Sequence, residues 1–533
     1  MPGLDAQGQP IRSCTEPKPR VTISITSNRT ARGSHGRATR VEDMALTPAQ
    51  HSEGSLPSID SRRRCLAIRD DLIRAGLYPT EPTAQTNGPA GFRIAPDPVS
   101  LSVADFTFIQ HLGQTLLSFY RALNRLYLDS ARGTQPAWVA SYLDQGKPES
   151  LIAYGRMNRF RNQLPAVIRP DIIPTTDGMV ITELDSVPGG IGLTACLAGA
   201  YDAHRSASSS AARSSAPVGR DGMIQPFAAM LRSQQGDHLG CIAIVVSEEA
   251  KEYRPEMQWM AERLREIGCE AYCTEPKAVR FSEEGLSLDG PSGPRPIGLI
   301  YRFYELFDLK NIPKSELLMY AVKKETVAVT PPYKPALEEK LAFGLFHHPE
   351  LDRFWKNALD RDAYTTLHRL LPRTWILDPR PIPPSAVIPN LQMGGQPLSD
   401  FRRLAAGTQK ERHLVIKPSG FSELAWGSRG VSIGHDLPQA EWALALEQAL
   451  ERFPTTPSVL QEFHKGRQFE CRYYDVATDQ IATMSARARL SPYYFVVGEK
   501  AELGGVLATL CSAEKKIIHG MVDAVMAPCA VEA

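Results

Sequence analysis

The stretch AVIRPDIIPTTDGMVITELD, residues 166–185, constrains this chain more than any other. Two β-type runs flank PTTDG, a turn with proline at its start and Asp-Gly at its end, which predicts an antiparallel hairpin. Side chains two apart on a strand share a face, so Arg169 pairs with Asp171 and Glu183 with Asp185. A five-residue turn over 174–178 would set Ile173 opposite Met179, Asp171 opposite Ile181 and Arg169 opposite Glu183. All four polar residues then share one face. Three carboxylates beside an arginine form an oxygen-only site that suits Mg²⁺ carrying phosphate oxygens, since that ion takes a few carboxylates plus waters and substrate phosphates. The same residues also describe a solvated strand face with a surface ion pair.

With 533 residues the chain exceeds one ordinary core, and 43% hydrophobic with 22% charged residues is a globular composition. A net charge of +1 provides no global field for nucleic acid or an anionic membrane, which leaves small anions as the expected charged partners. The nine cysteines include no CxxC pair and meet no His cluster at zinc spacing, as expected of a reduced cytoplasmic protein. The longest apolar runs, such as CIAIVV, fall far short of the roughly 20 residues that span a bilayer. Residues 1–60 begin basic and rich in Ser, Thr and Gly, which predicts a flexible tail. Met44 offers an alternative start that mass spectrometry of the native N-terminus would decide.

Residues 61–204 combine a helical section, with apolar spacings of three and four in RCLAIRDDLIRAGL and FIQHLGQTLLSFYRALNRLYL, with the hairpin. Residues 205–236, which contain SASSSAARSSAPVG, read as a low-complexity linker. In 237–330 the strands CIAIVV and GLIYRFYE enclose the helix-to-strand pattern EMQWMAERLREIGCEAYC, an α/β unit. Residues 331–533 open on the turn TPPYKP and the helix ALEEKLAFGLF. HLVIK, GVSIG, SVLQEF, FECRYYDVA, QIATMSARARL and YYFVVG then follow as an expected antiparallel set. The fold class is mixed α/β.

Four further groups carry chemistry. In HLVIKPSGFSELAWGSRGVSIG a strand delivers Lys417, and a loop with Gly420, Gly427, Ser428 and Gly430 follows. This is not a P-loop, because the lysine precedes the glycines. Such a lysine can still neutralise phosphate oxygens while loop N–H groups cover them, although an ordinary hairpin has the same outline. In SVLQEFHKG, Gln461, Glu462 and Phe463 could offer backbone groups and an aromatic wall to a flat base. Arg487 and Arg489 share a strand face, where either could stabilise charge in phosphoryl transfer. Arg156 in YGRMNRFRNQ and Arg302 in IYRFYE could bind a substrate carboxylate, or could be plain exposed arginines.

In this order the pieces resemble the circularly permuted ATP-grasp family, particularly the synthetase domain of glutathionylspermidine synthase. In that family an RxD motif is followed after a short hairpin by ExN, and together they supply a catalytic arginine and three Mg²⁺ ligands. Arg169-Pro170-Asp171 and Glu183-Leu184-Asp185 match, with aspartate in place of the asparagine. The family's first nucleotide lysine follows a Pro-containing turn and its second precedes the glycine loop, contexts matched by Lys340 and Lys417. The resemblance implies ATP and Mg²⁺, a pre-ATP-grasp subdomain at 237–330 and nucleotide-binding lobes at 331–533. It also implies a ligase that joins a small-molecule or peptide carboxylate to an amine through an acyl phosphate, releasing ADP and phosphate. The alternative is a non-catalytic ATP-binding scaffold or sensor. A hydrolase using Glu183 and Asp185 as acid and base is weaker, because two carboxylates on one strand face do not flank a bond.

Overall fold

The computed structural model describes residues 58–80, 91–205, 217–219, 222–518 and 523–532. The expected tail up to residue 57 and the serine-rich part of the expected linker, 206–216, lie outside them. The hairpin forms from Val167–Thr175 and Gly178–Asp185, but in a different register from the expected one. Its turn is tighter. Thr175 pairs with Gly178, and the Thr175 hydroxyl donates to the Gly178 carbonyl (2.8 Å) and accepts from the Asp177 N–H (3.1 Å). A bulge between Asp171 and Ile172 then leaves Thr182 without a partner, so Asp171 faces Glu183 and Arg169 faces Asp185. One register step would have turned the second strand's side chains to the other face. The tighter turn and the bulge contribute one step each, and the four polar residues stay together.

The hairpin edges a seven-stranded sheet whose next member is the long strand Gln480–Val497, followed by Lys500–Ser512, Val525–Val531 and Val99–Leu101. QIATMSARARL and YYFVVG are therefore parts of one strand. Pro492 does not break it, because the ladder to the hairpin skips 491–493, where a missing N–H costs no bond. Leu490 lies opposite Ile172, which brings Arg489 beside Asp171.

The expected single antiparallel set is in fact divided. Phe469–Asp475 pairs with the long strand, whereas Thr374–Ile376, Ser458–Glu462, Leu414–Pro418 and Ser432–Ile433 build a separate four-stranded sheet. Strand alternation explains its two faces. Trp375, Leu414, Ile416 and Leu460 pack with Trp442 and Leu446 of the helix Gln439–Glu451. Val459, Gln461 and Lys417 belong to the opposite face.

A third sheet holds Ala271–Thr274, Cys241–Val246, Gly293–Phe303 and Ala328–Thr330 in parallel, extended by two antiparallel strands. The expected linker ends early, because Ile224–Gln235 is a helix that buries Phe227, Ala228, Met230 and Leu231. Apolar spacing resumes there once the serine-rich composition has ended. In the helical section, Val103–Ala131 starts at Ser102, whose hydroxyl accepts the Asp105 N–H at 3.0 Å. It crosses the long strand so closely that a Cβ on Gly113 would lie 2.4 Å from the Tyr494 ring.

Candidate functional site

The hairpin face is a continuous charge network. Arg169 Nη2 lies 3.0 Å from Asp185 Oδ2, and its Nε lies 3.3 Å from Asp171 Oδ1, an ion-pair distance without hydrogen-bond geometry. Asp171 Oδ2 meets Arg489 Nη1 at 3.2 Å and Oδ1 accepts the Ser491 hydroxyl at 3.1 Å. Burial opposes the Asp171 charge, but Arg169, Arg489 and Ser491 outweigh it and hold its pKa below the usual value. Asp185 goes the other way. Burial raises its pKa, only partly offset by Arg169 and by the Val187 N–H, which donates to Oδ1 at 2.8 Å. Neither Arg169 Nε nor Arg489 Nε has a hydrogen-bond partner among the described residues.

Two lysines reach this face from other elements. Lys340, immediately before the helix Leu341–Phe346, contacts Glu183 Oε1 at 2.6 Å, and that carboxylate lifts the lysine's pKa against the effect of burial. Lys417 Nζ donates to the carbonyl of the bulged Thr182 (2.9 Å) and to Gln461 Oε1 (2.7 Å). Burial, with help from neighbouring Lys340, lowers its pKa to about 8. Glu183, Lys340, Lys417, Thr182 and Gln461 line one narrow cleft, closed on another side by Phe119 and Tyr120 of the long helix. The helical section, which had no expected role, thus supplies a wall of the site.

Several expected residues hold other positions. Gly420 packs against backbone, since a Cβ there would lie 1.9 Å from the Glu338 carbonyl oxygen. Gly430 is similarly pressed, at 2.8 Å from Pro418 Cγ, while Gly427 takes a left-handed φ of 61° in open space. The side chain of Ser428 lies outside the described set. Gln461 accepts from Lys417 and donates to Thr374 Oγ1 at 3.2 Å. The N–H groups of Glu462 and Phe463 are spent on the Arg373 and His413 carbonyls, at 2.9 and 3.0 Å. Those two residues line a second groove, with Trp375 and His413, away from the lysine cleft.

Both expected substrate arginines are engaged by groups of the protein itself. Arg302 is fully buried and donates to the Pro331 carbonyl (3.2 Å), the Tyr304 carbonyl and Glu338. It has no face left for a substrate. Arg156 pairs with Asp144 and donates to the Tyr127 hydroxyl at 3.0 Å, inside the helical section. Arg487 is likewise spent on the Gly466 and Lys515 carbonyls, which leaves Arg489 as the arginine of that strand at the site. The glycine turn after Asp185 has its donors taken as well. Glu256 accepts the Gly190 and Leu193 N–H groups at 2.7 and 3.4 Å, and burial raises its pKa to about 7.

Sequence reasoning missed Ser491, Tyr120, Lys147 and Glu339. Lys147 and Glu339 form an ion pair at 2.6 Å with both side chains wholly enclosed. A signal was present, because the run Glu338-Glu339-Lys340 is a dense charge cluster amid apolar residues.

Among the described residues no three His, Cys, Asp or Glu side chains group so as to hold a metal ion. Asp171 is 8% exposed with both oxygens engaged, whereas Glu183 and Asp185 keep 35% and 27% exposure. Two carboxylates completed by phosphate oxygens and water suffice for Mg²⁺, so the donor chemistry of Glu183 and Asp185 fits that ion.

No protein-family model and no curated protein matches the chain. Among solved structures, a glutathione synthetase-like effector from Globodera pallida aligns with 90% of this chain and 98% of its own, at a TM-score of 0.55 and 12% identity. A candidate gamma-glutamylcysteine synthetase from Methylobacillus flagellatus aligns over 74% and 82% at a TM-score of 0.36 and 11% identity, too distant to carry an argument. The first likeness establishes a shared fold. No described helix is long and apolar enough to cross a membrane.

Proposed function

We propose that the chain is an ATP-dependent ligase of the circularly permuted ATP-grasp type, which joins a small-molecule or peptide carboxylate to an amine through an acyl phosphate and releases ADP. One observation carries this reading: Lys340 and Lys417, from two separate elements, converge on the carboxylate–arginine hairpin face within a single cleft. In the proposed reaction the two lysines neutralise phosphate oxygens. Arg169 and Arg489, both held by Asp171 and each with an Nε that makes no hydrogen bond, stabilise charge on the phosphoryl group in transfer. Glu183 and Asp185 would hold Mg²⁺, which when bound supplies Lewis-acid neutralisation of the phosphates. Asp171 is better suited to fixing the two arginines. Residues 237–330 take the part of the pre-ATP-grasp unit, and the small sheet with the glycine loop forms the nucleotide lobe. The fold shared with a synthetase-like protein supports this reading.

The test is ADP release by the purified protein, given Mg-ATP with a broad panel of acids and amines, together with its melting temperature with and without Mg-ATP. Absence of both turnover and a thermal shift would sink the proposal. A shift without turnover on any pair would favour a non-catalytic ATP-binding protein.

A further inference from the structure

Glu339 lies in the break between the turn Pro335–Leu337 and the helix Leu341–Phe346. Its Oε1 accepts from Lys147 Nζ at 2.6 Å and from Ser419 Oγ at 2.5 Å, so an ammonium from the helical section balances its charge and a hydroxyl at the base of the glycine loop completes that oxygen. Its Oε2 is equally buried and has no hydrogen-bond donor among the described residues. Leaving a buried acceptor unpaired is costly, and a native fold keeps one where something else supplies the donor. Glu339 lines the same cleft as Lys340 and Lys417, alongside the apolar side chains of Leu337, Phe343 and Val459.

Resting on the nucleotide site proposed above, we propose that Glu339 is a specificity residue whose Oε2 accepts one hydrogen bond from a neutral N–H or O–H of the nucleoside. Phosphates at neutral pH offer acceptors only and would be repelled by a carboxylate oxygen. The donors left on ATP are the base amine and the two ribose hydroxyls, and the apolar lining beside Glu339 suits that half of the ligand.

Three analogues, each lacking one donor, separate the sources: 2′-deoxy-ATP, 3′-deoxy-ATP, and purine riboside triphosphate without the 6-amino group. Calorimetric affinities of the wild-type protein should fall on the order of 10-fold or more for at least one of them relative to ATP. Glu339→Gln sharpens the test. Lys147 and Ser419 both donate to the first oxygen, so they would hold the glutamine carbonyl and place its NH₂ where Oε2 stood. The variant should then bind ATP and the discriminated analogue within about 2-fold of each other, the discriminating acceptor having been lost. Equal wild-type affinity for ATP and all three analogues would overturn the inference, meaning that water serves Oε2. Undiminished discrimination by the variant would overturn it too. The wild-type series decides alone if the variant does not fold. Failure of ATP and every analogue to bind would bring down the nucleotide site itself, an outcome distinct from binding without discrimination.

Discussion

Arg302 and Lys334 sit in one buried neighbourhood, Arg169 and Lys417 in another, and the two use the same residue types to opposite ends. Lys334 Nζ donates to Asn124 Oδ1 and to the carbonyls of Phe160, Arg161 and Gln163 at 3.2, 3.3 and 3.0 Å, while Arg302 spends its donors on two carbonyls and Glu338. Every side-chain nitrogen of that pair has a hydrogen-bond partner, and Lys334 ties the cis-proline loop after Thr330 to the helical section. Arg169 Nε has an ion-pair contact with Asp171 but no hydrogen bond, and Lys417 is tethered by only two acceptors beside a cleft. Burial lowers both lysines to about 8. A perturbed pKa therefore does not separate the two neighbourhoods, whereas nitrogens left without a hydrogen bond do.

The largest expected effects fall on the arginines and should run in opposite directions. Arg169→Leu should cut ADP formation by roughly 10³-fold, about 4 kcal/mol of barrier. Its unfolding free energy in urea should change by no more than about 1 kcal/mol, because Asp171 keeps Arg489 and Ser491, and Asp185 keeps the Val187 N–H. Arg302→Leu strands buried Glu338 and should cost about 3–5 kcal/mol of stability, while turnover per folded molecule stays within several-fold of wild type. If Arg302→Leu abolished turnover at unchanged stability, the division between the two neighbourhoods would be wrong.

The parts that were legible in the sequence were those that local pattern dictates. Period-two alternation put Arg169, Asp171, Glu183 and Asp185 on one face, and the run LVIK delivered Lys417 on a strand. The register escaped because a bulge at Thr182 and a two-residue turn depend on pairing that no single strand encodes. Arg302 was misread for a related reason. A sequence shows that a guanidinium exists but not which carbonyls consume it, and its acceptors Pro331 and Glu338 lie some 30 residues away. Glu339 escaped because Lys147 and Ser419, the partners that bury it, come from elements 192 and 80 residues distant.

The next effect in size concerns the two lysines and pH. Each titrates near 8 when folded and near 10.4 when unfolded, so between those values the unfolded chain binds more protons. The two lysines should accordingly contribute stability that grows with pH across about 8 to 10.4, against buried cysteines such as Cys65 and Cys471 whose raised pKa values pull the other way, so urea titrations of Lys334→Met should show a stability that falls relative to wild type as pH rises through that window. Nucleotide affinity should move the other way. If the phosphates need the Lys417 ammonium, affinity declines by up to tenfold per pH unit above about 8. Lys334→Met should keep that decline and Lys417→Met should abolish it; a decline that followed Lys334 instead would reverse the assignment of the two lysines.

The smallest effect tests whether Lys340 occupies the edge of the hairpin face that Mg²⁺ would use. Asp171 is saturated, Glu183 is held at 2.6 Å by Lys340 and Asp185 at 3.0 Å by Arg169, so Mg²⁺ without nucleotide meets carboxylates that are already paired. Added alone at 10 mM, it should stabilise the wild-type protein by less than about 0.5 kcal/mol. Lys340→Met releases Glu183 beside Asp185. An ion binding there at one tenth of its applied concentration would then add about 1.4 kcal/mol, measurable as a shift of the urea midpoint. Ca²⁺ should substitute poorly if two carboxylates and water form the whole protein contribution, because that ion takes six to eight oxygens from a flexible set. Equal Mg²⁺ effects on the two proteins would mean that Glu183 is not the metal edge, and the ion would then have to be sought on the phosphates alone.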